Sequence, residues 1–220
     1  MALPSFLDLV NDVLVRIREP EVSTVNENVL SKLVGKMVND AKRQVEDAYN
    51  WNALSSTFTV NTTANVFNYN IVGTGARFKV VDVFNNTSRI HMNSVSTNIM
   101  NDRYLLGATP TPSAPVDYNF NGTSATTGDT LVDIWPPPNG VYTLFFNVFV
   151  PQVELATDSS IMLVPKEPVV LLAKAMALVE RGEDGGLSNS EAYGIFKSSL
   201  ADYIALESSR YPDEDSWEWV

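Results

Sequence analysis

The sequence predicts an α+β fold: an antiparallel helical bundle of four main helices, an inserted antiparallel β sandwich or barrel, and an extended C-terminal arm. Three observations predict it. Pro168–Glu180 runs almost without a polar residue, as a helix does when all of its faces are buried. Helical texture stops near residue 53, gives way to a stretch rich in Thr, Asn, Val and Phe, and returns near residue 163. Tyr211–Val220 interleaves acids with aromatic side chains, behind a proline at 212 that bars a helix from continuing. The division that results is 1–52 for the first half of the bundle, 53–163 for the β-rich insertion, 164–209 for the second half of the bundle and 210–220 for the arm.

Each element has its own signal. Residues 5–18 place Phe6, Leu9, Val10, Val13, Leu14 and Ile17 on one apolar stripe. Asp8 and Asp12 early, with Arg16 and Arg18 late, suit the helix dipole, and Pro20 ends the helix. Asn26 is the expected N-cap of a second helix reaching Tyr49. Its stripe is Leu30, Leu33, Val34, Met37, Val38, Ala41, Val45 and Ala48. Lys36, Lys42 and Arg43 fall on its other faces and read as a solvated face, with a partner-facing patch as the alternative. Tyr49 and Trp51 close the helix and pack beneath it.

Thr57–Val60, Val66–Ile71, Phe78–Phe84, Arg89–Met92, Val116–Phe120, Leu131–Trp135 and Tyr142–Val150 read as strands. Phe145–Val150 is apolar at consecutive positions, as in a strand covered on both faces. Asn139–Gly140 is the strongest local hairpin signal. Thr109–Pro115 and Asn121–Asp129 read as loops, and Ser94–Tyr104 as a short helix. Pro168 sits in the first turn of the central helix, where its missing N–H is harmless. That helix is too short for a bilayer, which needs about 20 apolar residues. Gly185–Gly186 make a turn, and Ser188 with Glu191 form a capping box for the last helix. The stripe of that helix is Ala192, Ile195, Phe196, Leu200, Tyr203 and Ile204.

Composition argues against most chemistry. The 220 residues are 45% hydrophobic, enough for a real core. The absence of cysteine removes disulfides, thiol nucleophiles and thiolate metal sites together. A formal net charge of −11 opposes the phosphate neutralisation that drives nucleic-acid binding. The single histidine, His91, lies in a strand pattern and reads as a satisfied structural histidine; no Ser-His-Asp constellation is suggested, and no second histidine exists for a metal site. Gly73-Thr-Gly75 lacks the third glycine and the following helix of a phosphate loop. Asp117, Asp129 and Asp133 contain the only pairs to consider for glycoside hydrolysis, and nothing separates them from solvated loop acids. No enzymatic activity, cofactor, metal site or membrane span is expected.

Three stretches carry a resemblance. Residues 9–25, Leu-Val-Asn-Asp-Val-Leu-Val-Arg-Ile-Arg-Glu-Pro-Glu-Val-Ser-Thr-Val, resemble the opening of tailed-phage head-to-tail adaptors, the tail tubular protein A or head-completion connector family. Asn11, Val13, Leu14, Ile17, Glu19 and Val22 fit that family's Asn-x-Ile-Leu core and Ile-Gly-Glu-x-Pro-Val ending. Arg18 stands where glycine is usual, and Pro20 falls one position early. Ala41–Asn52 is similar to the family's helix end followed by Trp-x-Phe-Asn. Ile161–Pro165, leading into an Ala-rich helix and a last helix set off by glycines, is similar to its return to the bundle. The β middle resembles nothing specific.

The resemblance implies a structural virion protein in the tail at the portal vertex, assembled in the host cytoplasm. It implies a ring, usually of twelve copies, docked under the portal, with DNA passing through the lumen without specific binding. The helices would build the ring and the β part would face the next tail component, nozzle or tail tube. The C-terminal segment would clasp the portal, with Tyr211, Trp217, Trp219 and Val220 as its partner-binding residues; the competing reading of that stretch is a frayed tail. Trp and Tyr are the side chains most enriched at interface hot spots. Two other readings compete: a carbohydrate- or receptor-binding β module, and a tail-associated hydrolase. The helical framing of the β region favours the adaptor.

Overall fold

The computed structural model describes residues 3–107, 110–182 and 187–210. Among them the chain is α+β, with five helices and two four-stranded sheets. The elements are, in order, α1 (Phe6–Arg16), α2 (Val29–Ala48), β1 (Ser55–Asn61), β2 (Asn68–Asn70), β3 (Lys79–Asn85), β4 (Ile90–His91), β5 (Asn93–Ser94) and α3 (Thr97–Asn101). There follow β6 (Asp117–Thr123), β7 (Thr130–Trp135), β8 (Thr143–Phe149), α4 (Lys166–Glu180) and α5 (Leu187–Arg210). The chain divides into two compact units: a helical unit, up to Leu54 and from Pro151 onward, and a β unit, Ser55–Val150.

In the helical unit α1 begins with a capping box. The Asp8 N–H donates to the Ser5 hydroxyl at 3.2 Å, and the Ser5 N–H donates to the Asp8 carboxylate at 3.0 Å. The Ser5 hydroxyl also donates to that carboxylate, and these bonds hold Asp8 below the usual carboxylate range. The six-residue stripe of α1 is buried as expected. The helix ends in a Schellman turn: the Glu19 N–H reaches the Leu14 carbonyl at 2.9 Å and the Arg18 N–H reaches that of Val15 at 3.0 Å. That turn sets Arg18 at φ 63°, where an L side chain costs roughly 1–2 kcal/mol. Glycine, usual at this position in the adaptors that residues 9–25 resemble, escapes the strain but loses more freedom on folding. Arg18→Gly should therefore raise stability by about 0.5–1 kcal/mol. An unchanged or lower urea midpoint would show that the turn stores no strain.

The N-cap of α2 is Asn28, not Asn26. The Glu27 N–H bonds the Thr24 carbonyl and the Glu27 carboxylate accepts from the Ser23 N–H, so the chain is still turning at Asn26. Val34, Val38, Ala41 and Val45 are buried, whereas Leu33 and Ala48 of the expected stripe face outward. Trp51 is buried, donates its indole N–H to the Val45 carbonyl at 2.7 Å and meets the Tyr49 ring edge-on.

Lys42 is not solvated: its side chain is 2% exposed. The reason is the returning chain after Pro151, which up to residue 156 has no helix or strand and lies outside both sheets. Its backbone groups need partners, and a polar row on α2 supplies them. Asn39 accepts from the Leu155 N–H at 2.8 Å and donates to its carbonyl at 3.1 Å. Lys42 donates to the Gln152 carbonyl at 2.7 Å and to Glu46 at 3.0 Å, while Glu46 accepts from the Gln152 N–H at 3.2 Å. The same segment then offers the Ser160 and Asp158 carbonyls to the N–H groups of Phe6 and Leu7 in the first turn of α1.

α4 packs against α1, α2 and α5. Val169, Val170, Leu172, Ala173, Ala175 and Ala177 are buried along it, which makes it the central helix the sequence indicates. α5 begins at Leu187. The capping box expected of Ser188, and the Gly185–Gly186 turn, lie outside the described residues and side chains.

In the β unit one sheet runs β1-β8-β3-β4 and the other β2-β7-β6-β5. Both have free edges, so neither closes into a barrel. Every pairing is antiparallel except β5 with β6; the two-residue β5 carries too few residues to show a periodicity. Val60, Val83, Leu144, Phe146 and Val148 from the first sheet share one buried cluster with Tyr118, Val132 and Ile134 from the second. On β8 only Leu144, Phe146 and Val148 are buried; the alternate positions are half-covered. The strand is thus covered on one face rather than both.

Asn139–Gly140 does not join a hairpin, because β7 and β8 belong to different sheets. Pro136, Pro137 and Pro138 have no N–H to continue a ladder across that turn. The hairpin is β6–β7, closed by a loop in which the Ser124 and Gly128 N–H groups bond the Asp129 and Ser124 carbonyls. At the other end of the unit, β1 and β8 pair from Ser55↔Phe149.

Candidate docking surfaces

The residue types that carry chemistry are used here to hold the fold. Asp117 takes Arg103 at 2.6 Å and the Asn93 amide at 3.2 Å. Asp133 takes the amides of Asn68 and Asn121 at 2.6 and 2.7 Å. Gly73 and Gly75, both at positive φ, aim their N–H groups at Asp129, at 2.9 and 3.2 Å. The Gly75 and Gly73 bonds, with the Thr127 hydroxyl, keep Asp129 below the usual carboxylate range. An internal carboxylate therefore occupies the anion-binding concavity that Gly-Thr-Gly makes. His91 pairs with Phe84 across β3 and β4. Among the described residues no three His, Cys, Asp or Glu side chains come together to hold a metal ion. No helix among them is long and apolar enough to cross a membrane.

The arm residues Tyr211, Trp217, Trp219 and Val220 lie outside the described residues. What the structure places is α5, the helix that leads to them. Its inner face, against α4, buries Ala192 and Phe196 and half-buries Leu200, Tyr203 and Ile204. Ile195, expected on that face, is 55% exposed at its margin, where it lines a cleft with Lys174 and Leu178, and Leu206 is 53% exposed. The centre of the outer face carries Gly194, Ser198, Ala201 and Ala205, all exposed and uncharged. A solvated helix face normally carries charge. The spacing of four, three and four residues between these small side chains is readable in the sequence, and it is the signal that a search for apolar stripes passes over.

A second surface lies on the first half of α2. Val29 is 84% exposed and Leu33 37%. Beside them a groove of about 470 Å³ is lined by Phe6, Val25, Leu33, Gly35 and Leu155, with Lys32 and Lys36 at its rim. Gly35 permits the close packing of its floor: a Cβ there would meet Val25 Cγ1 at 2.9 Å.

The β unit has a surface of its own between β5 and β6. α3 runs directly into a π-helical turn, Asp102–Leu106. Tyr104 stacks on Phe67, meets Trp135 edge-on and donates to the Ile134 carbonyl, and Arg103 is paired with Asp117. Burial raises the Tyr104 hydroxyl well above its ordinary value, so it remains a donor. The segment so anchored presents Leu105 and Leu106 at 76% and 83% exposure.

A helical unit and a β unit, each with unpartnered apolar side chains on view and with its polar clusters spent on structure, define an interaction protein. Residues 4–216 match the profile of the SU10 adaptor protein family, and the protein belongs to that family. It is accordingly a phage adaptor protein. No curated protein matches the chain. The residues that carried the resemblance have structural roles: Asn11 accepts from the Val22 N–H at 2.9 Å and donates to its carbonyl at 3.0 Å. This fastens the Glu19–Val22 turn to α1.

Proposed function

We propose that the protein is a head-to-tail adaptor: a structural virion protein that forms a ring under the phage portal, joins it to the tail and lets DNA pass through its lumen. The observation that carries this reading is the family match over nearly the whole chain, across both halves of the helical unit and the β unit between them. In this reading the long helices act as an antiparallel bundle that builds a ring of twelve copies, the usual number in the tail tubular protein A and connector proteins. The two sheets act as a sandwich that meets the next tail component, with Leu105 and Leu106 as the apolar contact. Tyr211–Val220 docks on the portal through Tyr211, Trp217, Trp219 and Val220. The acidic excess keeps the lumen from retaining DNA; tight DNA binding by the purified ring at physiological salt would refute that point.

The test is sedimentation of the full chain with and without portal rings, beside a chain ending at Ser209. The full chain is expected to co-sediment as a ring and the truncated chain to remain in the supernatant. Binding by both would keep the adaptor and move its docking surface into the helices. Binding by neither would end this reading and turn attention to glycan binding by the β unit.

A further inference from the structure

We propose that α5 of one copy docks head to tail on the α2 groove of a second copy of this chain. The ridge Glu191, Ile195, Asp202 and Leu206 would meet Val29, Lys32, Leu33 and Lys36. This deepens the ring reading and rests on it. Helical spacing puts the four ridge residues on one side of α5, and all four are exposed. Two are apolar, two are acidic and none is basic; Lys197 lies on the other flank, over the Tyr193 ring at 4.9 Å, and Arg16, Arg18, Lys174 and Arg181 line a cleft beside Glu191 and Ile195.

The α2 surface has the opposite charge pattern. Lys32 and Lys36 are exposed and make no ion pair among the described residues. Glu154, also on the groove wall, is held by Arg43 at 2.9 Å, and Asp40 lies one turn beyond Lys36. In a chain with 15 basic and 26 acidic residues, two unpaired lysines beside exposed Val29 and Leu33 match an acidic, apolar ridge. The groove between Phe6, Val25 and Leu155 is the place for Ile195 or Leu206 to fill.

A two-fold pairing of α5 with α5 would be isologous and would close at two copies, which builds no ring. A contact between two different surfaces is heterologous, and heterologous contacts close into rings when the rotation permits.

The chain has no cysteine, so Leu33→Cys and Ile195→Cys each create a lone thiol at an exposed position. Full-length variants are assembled on portal rings, singly and mixed, and oxidised mildly. Disulfide-linked dimers are expected in the mixture, at least tenfold above either variant alone. Adding Lys32→Glu and Lys36→Glu to the first variant should abolish them, and adding Glu191→Lys and Asp202→Lys to the second should restore them. Equal cross-linking by Ile195→Cys alone would overturn the proposal in favour of a two-fold contact. Rings without the mixed disulfide would overturn it while leaving the ring reading intact. Failure of the unsubstituted chain to assemble on the portal would remove both.

Discussion

Lys42→Met is expected to destabilise the helical unit by about 3–5 kcal/mol, the usual loss when one partner of a buried ion pair is removed. The side chains of Lys42 and Glu46 are 2% and 1% exposed. Burial already raises the Glu46 carboxyl above its ordinary 4.5, against the opposing pull of Lys42. Without that cation the rise is larger. A carboxyl whose folded pKa exceeds its unfolded value penalises folding fully above the folded pKa. The penalty shrinks as pH falls through that value and vanishes below the unfolded one. The variant should therefore regain stability on acidification from neutral pH toward 4.5. Lys42→Met with Glu46→Leu should recover more than half of the loss. The remainder reflects the Gln152 N–H and carbonyl left without partners, about 1–3 kcal/mol. Urea titration of the three variants at neutral and acidic pH measures all of this. A single-variant loss under about 1 kcal/mol would mean the pair behaves as a surface bridge.

Phe146→Ala should destabilise the β unit by about 3–5 kcal/mol, the range for truncating a buried aromatic. Phe146 is fully buried on β8, a central strand, and its ring meets that of Tyr118 on the other sheet edge-on at 6.2 Å. The cavity thus opens where both sheets contribute side chains. Hydrogen exchange is the informative readout, because it separates β8 amides from α4 amides. Loss of protection in β1, β3 and β8 is expected. Unchanged protection there would place the β core elsewhere.

Long-range periodicity was the legible part of this fold. α1 and α2 announce themselves through stripes of apolar residues, α4 through being apolar on every face, and the buried Trp51 through its place at a helix end. The misreadings have a common cause: they concern partners that periodicity cannot see. Lys42 looks like any surface lysine until a strandless backbone segment is laid across it. Leu33 and Ile195 have the spacing of core residues, yet they stand at the margins of their stripes. Asn139–Gly140 has the composition of a hairpin turn, but three prolines before it break the ladder. At the candidate surfaces, the small residues of α5 carried a signal of the kind that hydrophobicity scales discount. The arm is legible only as composition, aromatic and acidic, with no described structure to compare.

The pairing of Ser55 with Phe149 bears on how such a protein can evolve. The chain enters and leaves the β unit one strand spacing apart, about 4.8 Å. Everything between those two residues can be exchanged by recombination for another cassette, long or short, whose own ends meet at a paired strand. The helical unit would not have to lengthen a loop to accept it. Asn39, Lys42 and Glu46 fasten the returning chain directly to α2, so the seam lies outside the exchanged piece. A lineage can then replace the β unit as one cassette while keeping its helical framework.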